Sequence, residues 1–187
     1  VGFKPDLFWV KERTNTSAHH LFDSIRGPGY NLKSNTTDAE SSFSTTQLLS
    51  FDNDGFSIGS SGSHNQDGEN YVAWCWKAGG AAVSNTDGSI ISQVSTNQTA
   101  GFSIVSYTGT GSAGTIGHGL SKKPDMIITK ERTSPTNSIS SWQVYHSSLG
   151  ATQRIQLNLT NTADTVSNIW NDTEPTSDVF YVGASGA

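Results

Sequence analysis

The chain has 187 residues, of which 33% are apolar and 14% charged, with a net charge of −5 and one cysteine. Such a length holds one good core or two small ones. The composition is too polar for a helical membrane protein and too aromatic for a disordered chain, and the absence of a basic cluster argues against nucleic acid, whose phosphates demand Lys and Arg on one face.

Gly, Ser, Thr and Asn dominate, and no run of helix formers sustains a 3.6-residue period, so the class predicted is all-β. No stretch of about 18 apolar residues spans a membrane. The chain opens on Val1, so the lack of a secretory leader carries no information. Cys75 has no partner for an internal disulfide and reads as a small core residue rather than a nucleophile.

Lys4-Pro5-Asp6 opens the first strand, Leu7-Phe8-Trp9-Val10, a continuous apolar run read as buried on both faces. His19 to Ile25 reads as its antiparallel return, ended by Gly27-Pro28-Gly29. Tyr30 to Ser34 alternates apolar and polar residues as a half-exposed third strand. Asn53-Asp54-Gly55, between Leu48 to Phe51 and Phe56 to Gly59, predicts a tight hairpin turn, because Asn and Gly accept positive φ. Tyr71 to Lys77 alternates Val72, Trp74 and Trp76 on one face with Tyr71, Ala73 and Cys75 on the other. Both faces are apolar, which places this strand inside a sheet with Trp74 in the core.

Residues 84–100 are small and polar, with a turn at Asp87-Gly88 and a weak strand from Ser89 to Val94, and read as a linker. Gly101 to Tyr107 begins a new alternating strand. The opening stretch then returns 119 residues downstream: Lys4-Pro5-Asp6 and Lys11-Glu12-Arg13-Thr14 reappear as Lys123-Pro124-Asp125 and Lys130-Glu131-Arg132-Thr133, identical at seven of eleven positions. At roughly one chance match in fifteen per position this is a repeat. Leu21-Phe22-Asp23 and Gly27 match Val144-Tyr145-His146 and Gly150. Asn35 matches Asn158, and Asp54 to Gly62 matches Asp178 to Gly186.

The expected architecture is therefore two related antiparallel β-sandwiches in tandem: residues 1–83, the linker 84–100, and residues 101–187. The expected core includes Trp9, Phe22, Phe56, Val72, Trp74 and Ile104, then Ile127, Val144, Ile155 and Phe180. The first copy lacks the strands that precede the anchor in the second, and the second lacks an equivalent of Tyr71 to Lys77. Unpaired edges beside an apolar core are costly. The expectation is a segment of a longer repeat protein or a subunit of a strand-donating polymer, with Val179 to Val182 pairing partly outside its own copy.

Catalytic and metal-binding patterns are sparse. His19 and His20 point to opposite faces of a strand and cannot chelate one zinc together. His64, His118 and His146 occur singly. Asp52 and Asp54 lack the rest of a calcium loop, so a turn is the better reading. A glycosidase needs two carboxylates facing one cleft, and the only acidic pair repeated in both copies is Asp6 with Glu12, at the ends of a strand. No catalytic residue, metal ligand or cofactor is assigned, and an enzyme is not expected. Five Asn-x-Ser/Thr triplets, at Asn15, Asn35, Asn97, Asn158 and Asn171, read as turn and strand-edge polarity.

Gly-Phe-x-Pro-Asp-apolar-x-Trp-x-Lys-x-Arg in residues 2–13, Phe51 to Gly59, Tyr71 to Gly80 and Gly101 to Gly119 together resemble a module repeated in tail-fibre-like virion proteins of marine and cyanobacterial tailed phages. The resemblance covers most of the chain, although Ile128 stands where the first copy has Trp9. It implies a concanavalin-like or jelly-roll sandwich with a structural or adhesive role at the virion surface, outside any cell. The partners implied are other virion or filament subunits, including further copies of the chain. A carbohydrate-binding adhesin is the alternative, with host-surface glycan held by exposed aromatics such as Trp142 or Tyr145.

Overall fold

The computed structural model describes residues 1–42, 46–133 and 140–184. The protein is all-β and built from several antiparallel sheets.

The first half begins with β1 (Leu7–Glu12), β2 (His20–Asp23), β3 (Tyr30–Lys33) and β4 (Ser41–Ser42). A hairpin of β5 (Leu48–Asp52) and β6 (Gly55–Ile58) follows, then a single helical turn α1 (Gly62–Asn65) and β7 (Tyr71–Trp76). The main sheet runs β4-β3-β2-β1-β7. Burial alternates along β1: Phe8, Val10 and Glu12 are buried, whereas Leu7, Trp9 and Lys11 are only partly covered. Phe8 faces Phe22 across β2 and Cys75 across β7. The β5–β6 hairpin closes over this face, bringing Leu48, Phe51 and Phe56 onto Phe8, Val10 and Phe22. Asp52 opposes Gly55, so Asn53 and Asp54 form a two-residue turn at the expected place, but without the positive φ expected of Asn53 and Gly55.

Two expectations for β7 are overturned. It is an edge strand of the described sheet, not an internal one, and Trp74 is 43% exposed. Alternation defined two faces correctly, but the register sets Cys75 against Phe8 and turns Trp74 and Trp76 outward with Trp9 and Leu7. Of the other expected core residues, Phe22, Val144 and Phe180 are buried, while Trp9, Phe56, Val72, Ile104, Ile127 and Ile155 are half-buried.

The stretch read as a linker carries β8 (Val83–Asn85) and β9 (Ser92–Asn97), the latter displaced a few residues from the weak strand expected. Both join β10 (Phe102–Tyr107) in a sheet ordered β10-β9-β8. Beyond lie β11 (Gly114–Gly117), β12 (Met126–Thr129), β13 (Gln143–His146), β14 (Gln153–Gln156), β15 (Asp164–Thr165) and β16 (Val179–Val182). β12 to β15 form one sheet in chain order. All four residues of β16 pair with β11, so this strand pairs within residues 101–187 and not outside them as expected.

The repeated sequence folds into hairpins of the same register. Phe8 opposes Phe22 in the first, and Ile127 opposes Tyr145 in the second. The backbone N–H of Ser24 donates to the Asp6 carbonyl as that of Ser147 does to Asp125, each at 2.8 Å. Asn35 Oδ1 accepts the N–H of His19, and Asn158 Oδ1 that of Trp142, each at 2.9 Å. The two repeated triplets at Asn35 and Asn158 thus hold loops in place.

The two halves touch through side chains. Trp142 packs with Leu21 and Leu32, and its Nε1 donates to the Lys33 carbonyl at 2.9 Å. Glu40 accepts from Arg26 at 3.1 Å and from Arg132 at 3.0 and 3.1 Å, joining both halves through one carboxylate.

Candidate functional site

The outward face of β1 and β7 carries three indoles. Trp9 lies directly opposite Trp74, and Leu7 opposite Trp76. Trp74 and Trp76 are two residues apart on one strand, so their side chains leave the same face roughly 7 Å apart along it. Trp9 meets Trp74 edge-on, with ring centroids 5.9 Å apart at 63°, and Trp76 at 6.4 Å and 33°. His19, just before β2, sets its ring 6.2 Å from Trp9. Trp76 stacks on Phe102 of β10 at 6.3 Å and 26°, which braces the far end.

Trp9, His19, Trp74 and Trp76 line an open cleft of about 280 Å³. Two buried polar atoms of this lining, Trp9 Nε1 and His19 Nδ1, have no hydrogen-bond partner. Burial first, and the charge of Lys11 second, push the His19 imidazole below its ordinary value, so it is neutral at neutral pH. The cleft therefore offers flat, almost wholly apolar faces, and no net charge on its histidine.

The family match extends over the whole chain, residues 1–187. The protein belongs to the DUF7483 family, a domain of unknown function. No curated protein and no solved structure matches the chain.

In this DUF7483 chain the two aromatics expected to stand exposed for a glycan are buried. Trp142 is 5% exposed and Tyr145 fully buried, because Trp142 fills the contact between the halves and Tyr145 packs on Trp170 in the core. The indoles that reach the surface are those of Trp9, Trp74 and Trp76, on a face that reading β7 as an internal strand concealed. The Trp-x-Trp spacing was the available signal, since it places two indoles on one face of a strand.

His19 and His20 do point apart: His19 lines the cleft, while His20 sits in the interior with its ring 4.3 Å from that of His64. Asp6 Oδ2 accepts the N–H of Ala78 at 2.8 Å, and Glu12 accepts from Asn15 and Ser17. At six residues' separation along a strand these two carboxylates stand roughly 20 Å apart, too far to act on one bond. Asp52 accepts hydroxyls from Ser50 at 2.7 Å and Ser57 at 2.6 Å, so its oxygens serve the hairpin. Among the described residues, no group of three or more His, Cys, Asp or Glu side chains is placed to hold a metal ion. Cys75 is half-buried against the first core, and burial raises its thiol pKa, which disfavours the thiolate.

Proposed function

We propose that this DUF7483 chain is a non-enzymatic adhesive module that binds saccharide in the cleft of Trp9, Trp74 and Trp76. The observation that carries the reading is the outward indole cluster: a 43% exposed Trp74 beside two further tryptophans on a sheet face. The C–H face of a pyranose stacks on an exposed indole face such as that of Trp74. Placement of Asp6 and Glu12 at opposite ends of β1, each already hydrogen-bonded, favours binding over hydrolysis.

The wider setting proposed is a tail-fibre-like appendage at a virion surface, outside the cell, among further subunits of the same kind and facing host-surface glycan. It rests on the resemblance in residues 2–13, 51–59, 71–80 and 101–119. The finer architecture proposed is two related sandwich modules, of concanavalin-like or jelly-roll type, over residues 1–83 and 101–187. The matched registers of the β1–β2 and β12–β13 hairpins support it.

The test is titration of the chain with bacterial surface polysaccharides and their oligosaccharides, read by tryptophan fluorescence and calorimetry. At least one glycan class is expected to bind saturably, and Trp74→Ala is expected to weaken it roughly tenfold or more. A flat response across the panel, or binding untouched by Trp74→Ala, overturns the assignment.

A further inference from the structure

We infer that the recess between Trp9, Trp74 and Trp76 takes a quaternary ammonium group, of the trimethylammonium type, carried as a substituent on the bound glycan. On the saccharide reading of this cleft, from which the assignment follows, the sugar ring lies on the exposed face of Trp74 and its substituent enters the recess. Four aromatic rings from three segments line it: Trp9 on β1, His19 ahead of β2, and Trp74 and Trp76 on β7. Their planes are inclined to one another rather than shared. Trp9 meets Trp74 at 63°, Trp76 at 33° and His19 at 65°. A flat sugar ring stacks on one indole face at a time, whereas a rounded trimethylammonium group lies against several inclined rings at once.

Size and polarity select the same ligand. The cleft measures about 280 Å³, just under the roughly 300 Å³ at which small-molecule pockets begin, so it holds one compact group and not a chain of sugars. Its lining is almost wholly apolar. Trp9 Nε1 and His19 Nδ1 are both buried, so neither is open to a ligand. Hydroxyls, a primary ammonium or a guanidinium bring O–H and N–H donors that such a lining leaves unmet once their water is lost. A quaternary ammonium has no N–H to satisfy, and its methyl shell is already apolar.

Charge complementarity favours a cation. An indole face carries the negative side of the ring quadrupole and attracts a cation within about 6 Å of the ring centroid. The Trp74 and Trp76 centroids stand 5.9 and 6.4 Å from that of Trp9, close enough for one cation to lie in range of more than one ring. His19 adds no repulsion, since its imidazole is neutral at neutral pH. Lys11 shares this face, opposite Val72, but its Nζ donates to the carbonyls of Glu12 and Asn15, and the ionised Glu12 carboxylate offsets its charge. The chain as a whole carries −5, which draws cations toward it. Trp76 is held by its stack on Phe102 at 6.3 Å, so that wall stands in place before a ligand arrives.

The experiment titrates the full chain with choline, with dimethylbutanol as its uncharged carbon isostere, and with ethanolamine as the primary ammonium, read by tryptophan fluorescence and calorimetry. Choline is expected to bind saturably, roughly tenfold or more tightly than either. Trp76→Leu, which keeps an apolar side chain and removes the ring, is expected to weaken choline by a similar factor while its far-ultraviolet circular dichroism stays that of the parent. Comparison of choline with its isostere needs no variant, and so decides the matter if Trp76→Leu does not fold. Absence of saturable choline binding, or an isostere that binds as tightly, overturns the inference. Choline is also expected to displace a bound glycan. A glycan that binds and is not displaced overturns this inference and leaves the saccharide reading standing, whereas choline binding beside a flat glycan panel keeps the head group and overturns its glycan carrier. Capture of the chain by phosphatidylcholine vesicles, reversed by choline, would assign the group to a lipid and overturn that carrier too.

Discussion

His64 is 2% exposed, its ring 5.5 Å from Phe22 and 4.3 Å from His20, and neither of its nitrogens has a partner. Burial pushes its pKa down to about 3. Burial likewise takes His20 to about 4, against a smaller opposing pull from its hydrogen bond to Asn31. Both folded values lie below the ordinary 6.5, so the unfolded chain takes up more protons as the solution acidifies. Stability is full above pH 6.5 and is lost as pH falls toward about 4, at up to roughly 1.4 kcal/mol per pH unit for each histidine. Glu12 and Glu40 are both lowered from the usual 4.5, so they act in a more acidic window. Urea unfolding at pH 7, 6 and 5 is expected to show this slope, and His64→Leu to flatten it; an unchanged slope would mean His64 does not titrate on unfolding. Exposure separates the tryptophans in the same way. Trp170, 2% exposed beneath Tyr145, is expected to cost about 3 to 5 kcal/mol on replacement by Ala, and Trp74 clearly less.

Glycines at repeated positions set how close two segments approach within an element. A Cβ on Gly59 would lie 2.7 Å from the Thr46 carbonyl oxygen, and one on Gly183 would collide with the carbonyl of Asn168. Each glycine also donates its N–H to the next carbonyl along, Gln47 at 2.7 Å and Ile169 at 2.8 Å. Backbone has little freedom to retreat, so Gly59→Ala and Gly183→Ala are expected to cost about 1 to 3 kcal/mol each, with Gly183 the costlier. Denaturation midpoints of the two variants check the order. For the β5–β6 hairpin, whose Asp52 oxygens are occupied by serine hydroxyls, an unchanged melting temperature in EDTA is expected. A bound calcium ion would raise the melting temperature by mass action, so a fall on chelation would place one there.

Across the whole molecule, the halves are joined by the β8–β9–β10 sheet and by the contact around Trp142 and Glu40. Removing the indole opens a cavity against Leu21 and Leu32 and leaves the Lys33 carbonyl without its donor. Trp142→Ala is therefore expected to lower stability by about 3 to 5 kcal/mol. It should also uncouple the halves, so that a single calorimetric transition of the parent becomes two. One transition in the variant would mean that the sheet through residues 83–107 suffices to hold them together.

Local chemistry in the chain determined the all-β class, the hairpin turn at Asn53-Asp54, the outward divergence of His19 from His20, and the return of the anchor as a second hairpin. These follow from period-two patterning and turn residues, which act over a few positions. Repeated Asn35 with Asn158 and Gly59 with Gly183 were visible as punctuation, and the structure supplies the carbonyls and N–H groups they serve. Tertiary structure alone decided which side of a strand is covered. Alternation along Tyr71 to Trp76 defines two apolar faces without ranking them. Packing of Phe8 and Phe56 against one of them sends Trp74 outward into the cleft. Trp142 and Tyr145 show the converse: nothing in the residues around them distinguishes an exposed indole or phenol from a buried one, because the partners that bury them, Leu32 and Trp170, lie far away in sequence.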